Sequence, residues 1–335
     1  MSGTRTRSAL AKVTGALLAA LALTLGAAFE SPAAPAAPAA DPTPAGSGAQ
    51  QQRFVSPFTG LNARQGPVLA VKFDNHSMAR PHTGLDQADI VYVEKVEGGL
   101  SRIMGVYSSR YPRTLGPVRS GRESDLELLP TFGRPVLAYS GTHPGINRLF
   151  RKAPFPTRSH GKLPGAYFRS GSRVPPHNLF VHPRAVLRSA PTTSKAADIG
   201  FRFGPAPRGG KPTARRTVRY GAATHSFTWS HRRGRWLVSM DGSPATTTNG
   251  ARLGGRTVVI QYAKMWPTRF RDSNGVPEPY IKTIGTGHAT VLRDGKAYAT
   301  RWSRPNRKSP TTFTLRNGQR MPFAPGQVWV VYQKQ

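Results

Sequence analysis

The sequence predicts an α+β protein: an N-terminal mixed α/β domain followed by a smaller, mainly antiparallel β domain. Three observations carry that expectation. Between residues 54 and 189, strand-length apolar runs such as "VLAVKF" and "IVYVEKV" alternate with helix-like stretches. From Thr217 onward the pattern is strand after strand, with turn signals at Asp294-Gly295 and Asn317-Gly318. Between the two, residues 190–216 are rich in Pro, Gly, Thr and Arg and read as an interdomain loop.

Taken in chain order, residues 1–28 read as a signal peptide or signal anchor. Arg5, Arg7 and Lys12 precede an uncharged, Ala- and Leu-rich run from Val13 to Phe29, and small residues at Gly26-Ala27-Ala28 allow cleavage after Ala28. Residues 29–53 are a Pro/Ala-rich linker with little to bury. In the first domain, strands are expected at Val68–Phe73, Ile90–Val96 and Ile103–Tyr107, the last two joined by a hairpin connection at Glu97-Gly98-Gly99-Leu100. A helix is expected to start at Ser120 and end near Gly133. Pro135–Tyr139 reads as a strand and Gly145–Arg151 as a short helix. In residues 217–335, "SFTWSHRRGRWLVSMDG" reads as a hairpin turning at Arg232 to Gly234. "TVVIQYAKMW", "ATVLRDGKAYATRW" and "QVWVVYQK" read as further strands, and there is no repeat at a fixed period.

Composition narrows the chemistry. Of 335 residues, 48 are Lys or Arg and 15 are Asp or Glu, a net charge of +33. Such a field favours phosphate polymers, acidic glycans, lipid headgroups or nucleic acid, and admits association with a membrane surface. The absence of cysteine excludes thiol nucleophiles, thiolate zinc sites and lipid attachment through an N-terminal cysteine.

Five of the scarce acids, Asp74, Asp86, Asp89, Glu94 and Glu97, crowd into one short stretch. Asp74, Glu94 and Glu97 are the catalytic candidates, as acid, base or metal ligand. Asp74 and His76 point to one side of an extended segment and are the candidates for holding a divalent cation. The alternative is that these acids pair internally with arginine. In "TLGPVRSGRESDLELL", Ser120 and Glu123 fit a capping box, with Asp125 and Glu127 favouring the positive end of the helix. Arg119 is left over. With Arg122 it could grip a phosphate or carboxylate, or pair with one of the five acids. His143 and His177 sit in loops, and the tryptophans Trp229, Trp236, Trp266, Trp302 and Trp329 are either core anchors or stacking surfaces. No nucleophile elbow, P-loop or dinucleotide fingerprint is present.

Together, "DNHSMARPHTGLDQADIVYVEKVEGGLSR", "YPRTLGPVRSGR" and "PPHN" resemble the YerB-like bacterial lipoproteins, a domain of unknown function (3048). "GTGHATVLRDGKAYATRWSR" and "PFAPGQVWVV" resemble that family's C-terminal domain. The similarity runs from Ser56 to Tyr332. The family's motif positions fall on Asp74, Asn75, Gly84, Asp89, Glu94, Glu97, Gly98, Gly99, Arg102, Gly116, Pro117, Arg119, Ser120, Arg122, His177 and Asn178. Among these, Arg119, Arg122, Arg102, Asn75, His177 and Asn178 are the binding candidates. The resemblance implies an exported, envelope-associated protein with no established activity and no cofactor. Family members commonly carry a lipid-modified cysteine after the signal, which this chain lacks. Two function classes follow as expectations. One is a binding or scaffold module for an anionic envelope polymer or an envelope protein; the other is a hydrolase of phosphate esters or glycans using the clustered acids with Arg119. Export argues against nucleic acid as the biological partner.

Overall fold

The computed structural model describes residues 54–335 apart from Ser273. The expected signal segment and the linker lie outside the described residues.

One large sheet passes through both halves of the sequence. Its strands are β1 (Leu69–Asp74), β2 (Ile90–Lys95), β3 (Ser101–Tyr107), β4 (Val136–Tyr139), β5 (Thr157–Ser159), β6 (Thr257–Ala263), β7 (Gly285–Arg293), β8 (Lys296–Arg304), β9 (Thr312–Thr314) and β10 (Val328–Lys334). They lie in the order β9-β8-β7-β6-β10-β2-β3-β1-β4-β5, and the short strand Lys211–Pro212 pairs with β8. The join is β10, which runs parallel to β6 on one side and to β2 on the other. Both β2 ("IVYVEK") and β10 ("VWVVYQK") are apolar on both faces for most of their length. That suits parallel strands covered on both sides. The strands expected at Val68–Phe73, Ile90–Val96, Ile103–Tyr107 and Pro135–Tyr139 form within two residues of their bounds, while β7 starts four residues before the expected Ala289 and "TVVIQYAKMW" is divided between β6 and the next strand. The Asp294-Gly295 turn joins β7 to β8 with positive φ at both residues, the geometry that an Asp-Gly pair favours.

Strand alternation sorts side chains into two cores. Leu69, Val71 and Phe73 face one core with Val91, Val93 and Ile103. Over that core lies a second sheet built from Arg215–Arg219, Thr224–Ser230, Arg235–Met240, Ser243–Pro244 and Gly254–Gly255. Its Phe227, Trp236 and Val238 pack on Trp329 and Val331 of β10. Ala70, Ile90, Tyr92 and Met104 face the opposite core. There they meet the helical segments and a hairpin, Met265–Arg271 with Pro277–Ile281.

The expected mixed α/β first half is corrected to a sheet-rich one. Among the described residues the α-helices are three and short: α1 (Asp125–Leu128), α2 (Pro144–Arg151) and α3 (Pro183–Arg188). The helix expected from Ser120 to Gly133 is one α-turn followed by a tighter turn over Leu129–Phe132. Pro130 has no N–H to extend the α-pattern. The capping box does not form either. Ser120 Oγ lies 3.5 Å from Ser140 Oγ, the N–H of Glu123 donates to Glu278 at 2.8 Å, and Asp125 accepts from the N–H of Arg122 at 2.7 Å.

Candidate functional site

The ends of β1, β2 and β3 carry four charged side chains on one face of the sheet. Lys72, Asp74, Glu94 and Arg102 follow the same alternation as Ala70, Tyr92 and Met104 and are all buried. A charge in such a place needs a partner, because desolvation alone costs several kcal/mol per ion. Each has at least one. Lys72 donates to Glu94 and, at 2.8 Å, to Asp125 of α1. Burial would lower the lysine's pKa, but the two carboxylates outweigh it and raise it, so Lys72 stays charged. Burial pushes Glu94 up, with Lys72 pulling the other way.

Asp74 is the hub of a second cluster. Its Oδ1 accepts from Arg102 at 2.9 Å and from the N–H of His76 at 3.2 Å. Its Oδ2 meets Nδ1 of His177 at 2.7 Å and Nε of Arg119 at 3.4 Å. Burial acts to raise Asp74, but Arg102, the hydrogen bond to His177 and Arg119 together hold it below the ordinary carboxylate value. An ionised Asp74 accepts from Nδ1 of His177 and so orients the ring. The His177 ring stacks on His76 with centroids 4.6 Å apart. Arg119 thus has an internal partner, yet its side chain is 31% exposed and its terminal nitrogens make no hydrogen bond among the described residues. One carboxylate here faces two guanidinium groups and a histidine, a local surplus of positive charge.

The other candidates have partners within the fold. Arg122 bonds Glu97 at 2.7 Å, lies 3.6 Å from Glu278, and donates to the carbonyls of Ser120 and Gly121. Asn75 donates to Ser101 and accepts from Arg80, and Asn178 accepts from Arg169. Asp89 accepts from the backbone N–H groups of Ser108 and Ser109, which ties the end of β3. The three catalytic candidates are each held by a cation: Asp74 by Arg102, Glu94 by Lys72 and Glu97 by Arg122. Asp74 and His76 do not form a metal cluster. The lone pairs of Asp74 are taken, and among the described residues no three His, Asp or Glu side chains are placed to hold a metal ion together.

Sequence reasoning missed the pairing of Asp74 with His177, 103 positions away, and the whole role of Lys72 and Glu127. Lys72 carried a readable signal, a charge inside the apolar run "VLAVKF", where an unpaired ammonium would be intolerable. Glu127 accepts from Tyr280 and Lys282 and from the N–H groups of Thr283 and Ile284. It clamps the hairpin to α1.

The family described as Protein of unknown function (DUF3048) matches with its N-terminal domain over residues 58–197 and its C-terminal domain over residues 216–330. The chain belongs to this family. It is 24% identical over 293 residues to YerB of Bacillus subtilis (strain 168), which bears a lipoprotein name; the match covers 83% of this chain and 86% of the relative. The crystal structure of YerB protein from Bacillus subtilis shares the fold, with a TM-score of 0.71 at 22% identity over 84% of this chain and 96% of that one. Family membership places Asp74, Arg102, Arg119 and His177 within the matched N-terminal domain.

Proposed function

We propose that this chain is an exported cell-envelope protein that binds an anionic envelope polymer at the corner formed by Arg119, His177 and His76. The observation that carries the reading is Arg119. A buried carboxylate orients it, the same carboxylate is already shared with Arg102 and His177, and a third of its side chain stays open. A guanidinium held this way loses little freedom when it takes a phosphate or carboxylate. The strongly basic chain and the lipoprotein name of the B. subtilis relative agree with an envelope location. The test is retention on a teichoic-type polymer across a salt series. Affinity should fall linearly on logarithmic axes as salt rises, and Arg119→Ala should weaken it about tenfold. Retention that ignores salt, or no retention at low salt, overturns it.

The Asp74–His177 contact favours a second reading, hydrolysis of a phosphate ester or glycan. Nε2 of His177 would take a proton from water while Arg119 holds the negative charge that develops. In that case His177→Ala retains the polymer and abolishes its cleavage. If wild type leaves the polymer intact, the binding reading stands alone.

A further inference from the structure

A cavity of about 620 Å³ lies far along the sequence from Asp74, between the loop at residues 208–216, the β7–β8 pair and the turn at residues 315–317. Four cations line it, Arg208, Lys211, Arg216 and Arg316, and no acid does. They come from two segments far apart in the chain, residues 208–216 and the turn at residues 315–317, and line one cavity with Tyr298, Ala297 and Ala299 of β8. The walls are fixed in place. Lys211 sits opposite Ala297 in the paired strands, the N–H of Thr213 donates to the carbonyl of Gly295 at 2.8 Å, and the Tyr298 hydroxyl donates to the carbonyl of Pro207 at 3.1 Å. A Cβ on Gly210 would lie 2.3 Å from the Tyr298 ring, so glycine is what lets the loop close against it. On the far side, the Asn317-Gly318 turn is pinned by the N–H of Leu315 on the carbonyl of Gln319.

The four cations differ from the arginines that hold the fold. Arg102, Arg122, Arg293 and Arg304 each meet a carboxylate or several carbonyls. Arg208, Lys211, Arg216 and Arg316 have no side-chain hydrogen bond or ion pair among the described residues. Four like charges around one concavity repel each other, and low-dielectric walls focus their field onto whatever enters. Nothing in the packing requires them to gather there. A ligand with several negative charges removes the repulsion, and guanidinium forks match phosphate oxygens two at a time. The volume lies in the range of small-ligand sites.

We propose that this cleft is a binding site for polyphosphorylated ligands, with Arg208, Lys211, Arg216 and Arg316 gripping phosphoryl groups above Tyr298. This rests on the reading of the chain as an anionic-polymer binder and adds a second contact, distinct from the Arg119 corner. The phosphoryl groups can come from free oligophosphate or from a phosphodiester polymer, and the probes separate them: inorganic tripolyphosphate and poly(glycerol phosphate), each titrated calorimetrically into the full chain at fixed salt.

Two triple variants remove the same charge. One is Arg208→Ala/Arg216→Ala/Arg316→Ala in the cleft. The other is Arg148→Ala/Arg151→Ala/Arg184→Ala on the exposed faces of α2 and α3. All six side chains are exposed, so both variants should fold, and thermal melts check this. The cleft variant should weaken tripolyphosphate about tenfold or more, and the control variant by less than about threefold. Equal losses would mean a general field rather than a site and would overturn the proposal. So would wild type that fails to bind tripolyphosphate at low salt. Arg119→Ala runs alongside: if it alone loses poly(glycerol phosphate) while the cleft variant loses tripolyphosphate, both sites stand. Tripolyphosphate bound in the cleft with no polymer bound anywhere supports the cleft and sinks the polymer reading.

Discussion

At the scale of single residues, the molecule spends its few acids with economy. Glu278 shows how tightly. Its side chain is 4% exposed, and burial pushes it up to about 7, against the pull of Arg122 and the N–H of Glu123. A carboxyl raised in this way contributes fully below its unfolded value, 4.5, and loses that contribution as pH rises through 7. Glu278→Gln keeps an oxygen for the N–H of Glu123 and removes the titration. Its stability relative to wild type should therefore improve with pH by about 3 kcal/mol between roughly pH 4.5 and pH 8. Urea melts across that range measure it, and a flat difference would mean that Glu278 does not titrate as its burial requires. Little of this was legible beforehand. The crowding of Asp74, Glu94 and Glu97 and the surplus Arg119 could be read from composition and spacing. Which cation each acid meets could not, because His177 and Glu278 reach Asp74 and Arg122 from 103 and 156 positions away in the chain.

At the scale of elements, α1 and the hairpin Met265–Arg271/Pro277–Ile281 form one unit. Glu127 supplies the acceptor for Tyr280, Lys282, Thr283 and Ile284; burial acts to raise its pKa, but these donors together hold it below the ordinary value. Glu127→Ala leaves buried donors without an acceptor. It should cost about 3 kcal/mol and speed amide exchange across residues 265–281 while leaving β1–β3 protected. Protection of the hairpin equal to wild type would show that apolar packing alone docks it. The sequence pattern misled here for a definable reason. Ser120 and Glu123 have the spacing of a capping box, and Asp125 and Glu127 sit where acids favour a helix start. Spacing cannot distinguish an acid that reaches back to its own helix from one that reaches across to a strand far along the chain. The tight turns, by contrast, were local problems. Asp294-Gly295 and Glu97-Gly98-Gly99-Leu100 turn as expected because a positive φ is decided by the residues themselves.

At the scale of the whole molecule, the strands were legible and their order was not. Apolar runs identify β2 and β10 as buried strands, but nothing local says that they lie side by side, Ile90 against Val328 and Val93 against Val331. The two matched family segments thus share a sheet. Separate expression of residues 54–189 and 217–335 should give chains that aggregate or bind each other, since each would expose a long apolar strand edge. Co-expression should recover a complex with native melting behaviour, and two soluble, independently melting halves would contradict the continuous sheet. The position of β10 also sets a timetable. A ribosome that has made every residue through Pro325 has not yet made the strand between β2 and β6. Until then the two flanks of the sheet have no middle, and the long-range pairing that closes the fold must wait. The order of synthesis keeps the large sheet open until β10 (Val328–Lys334) has been made.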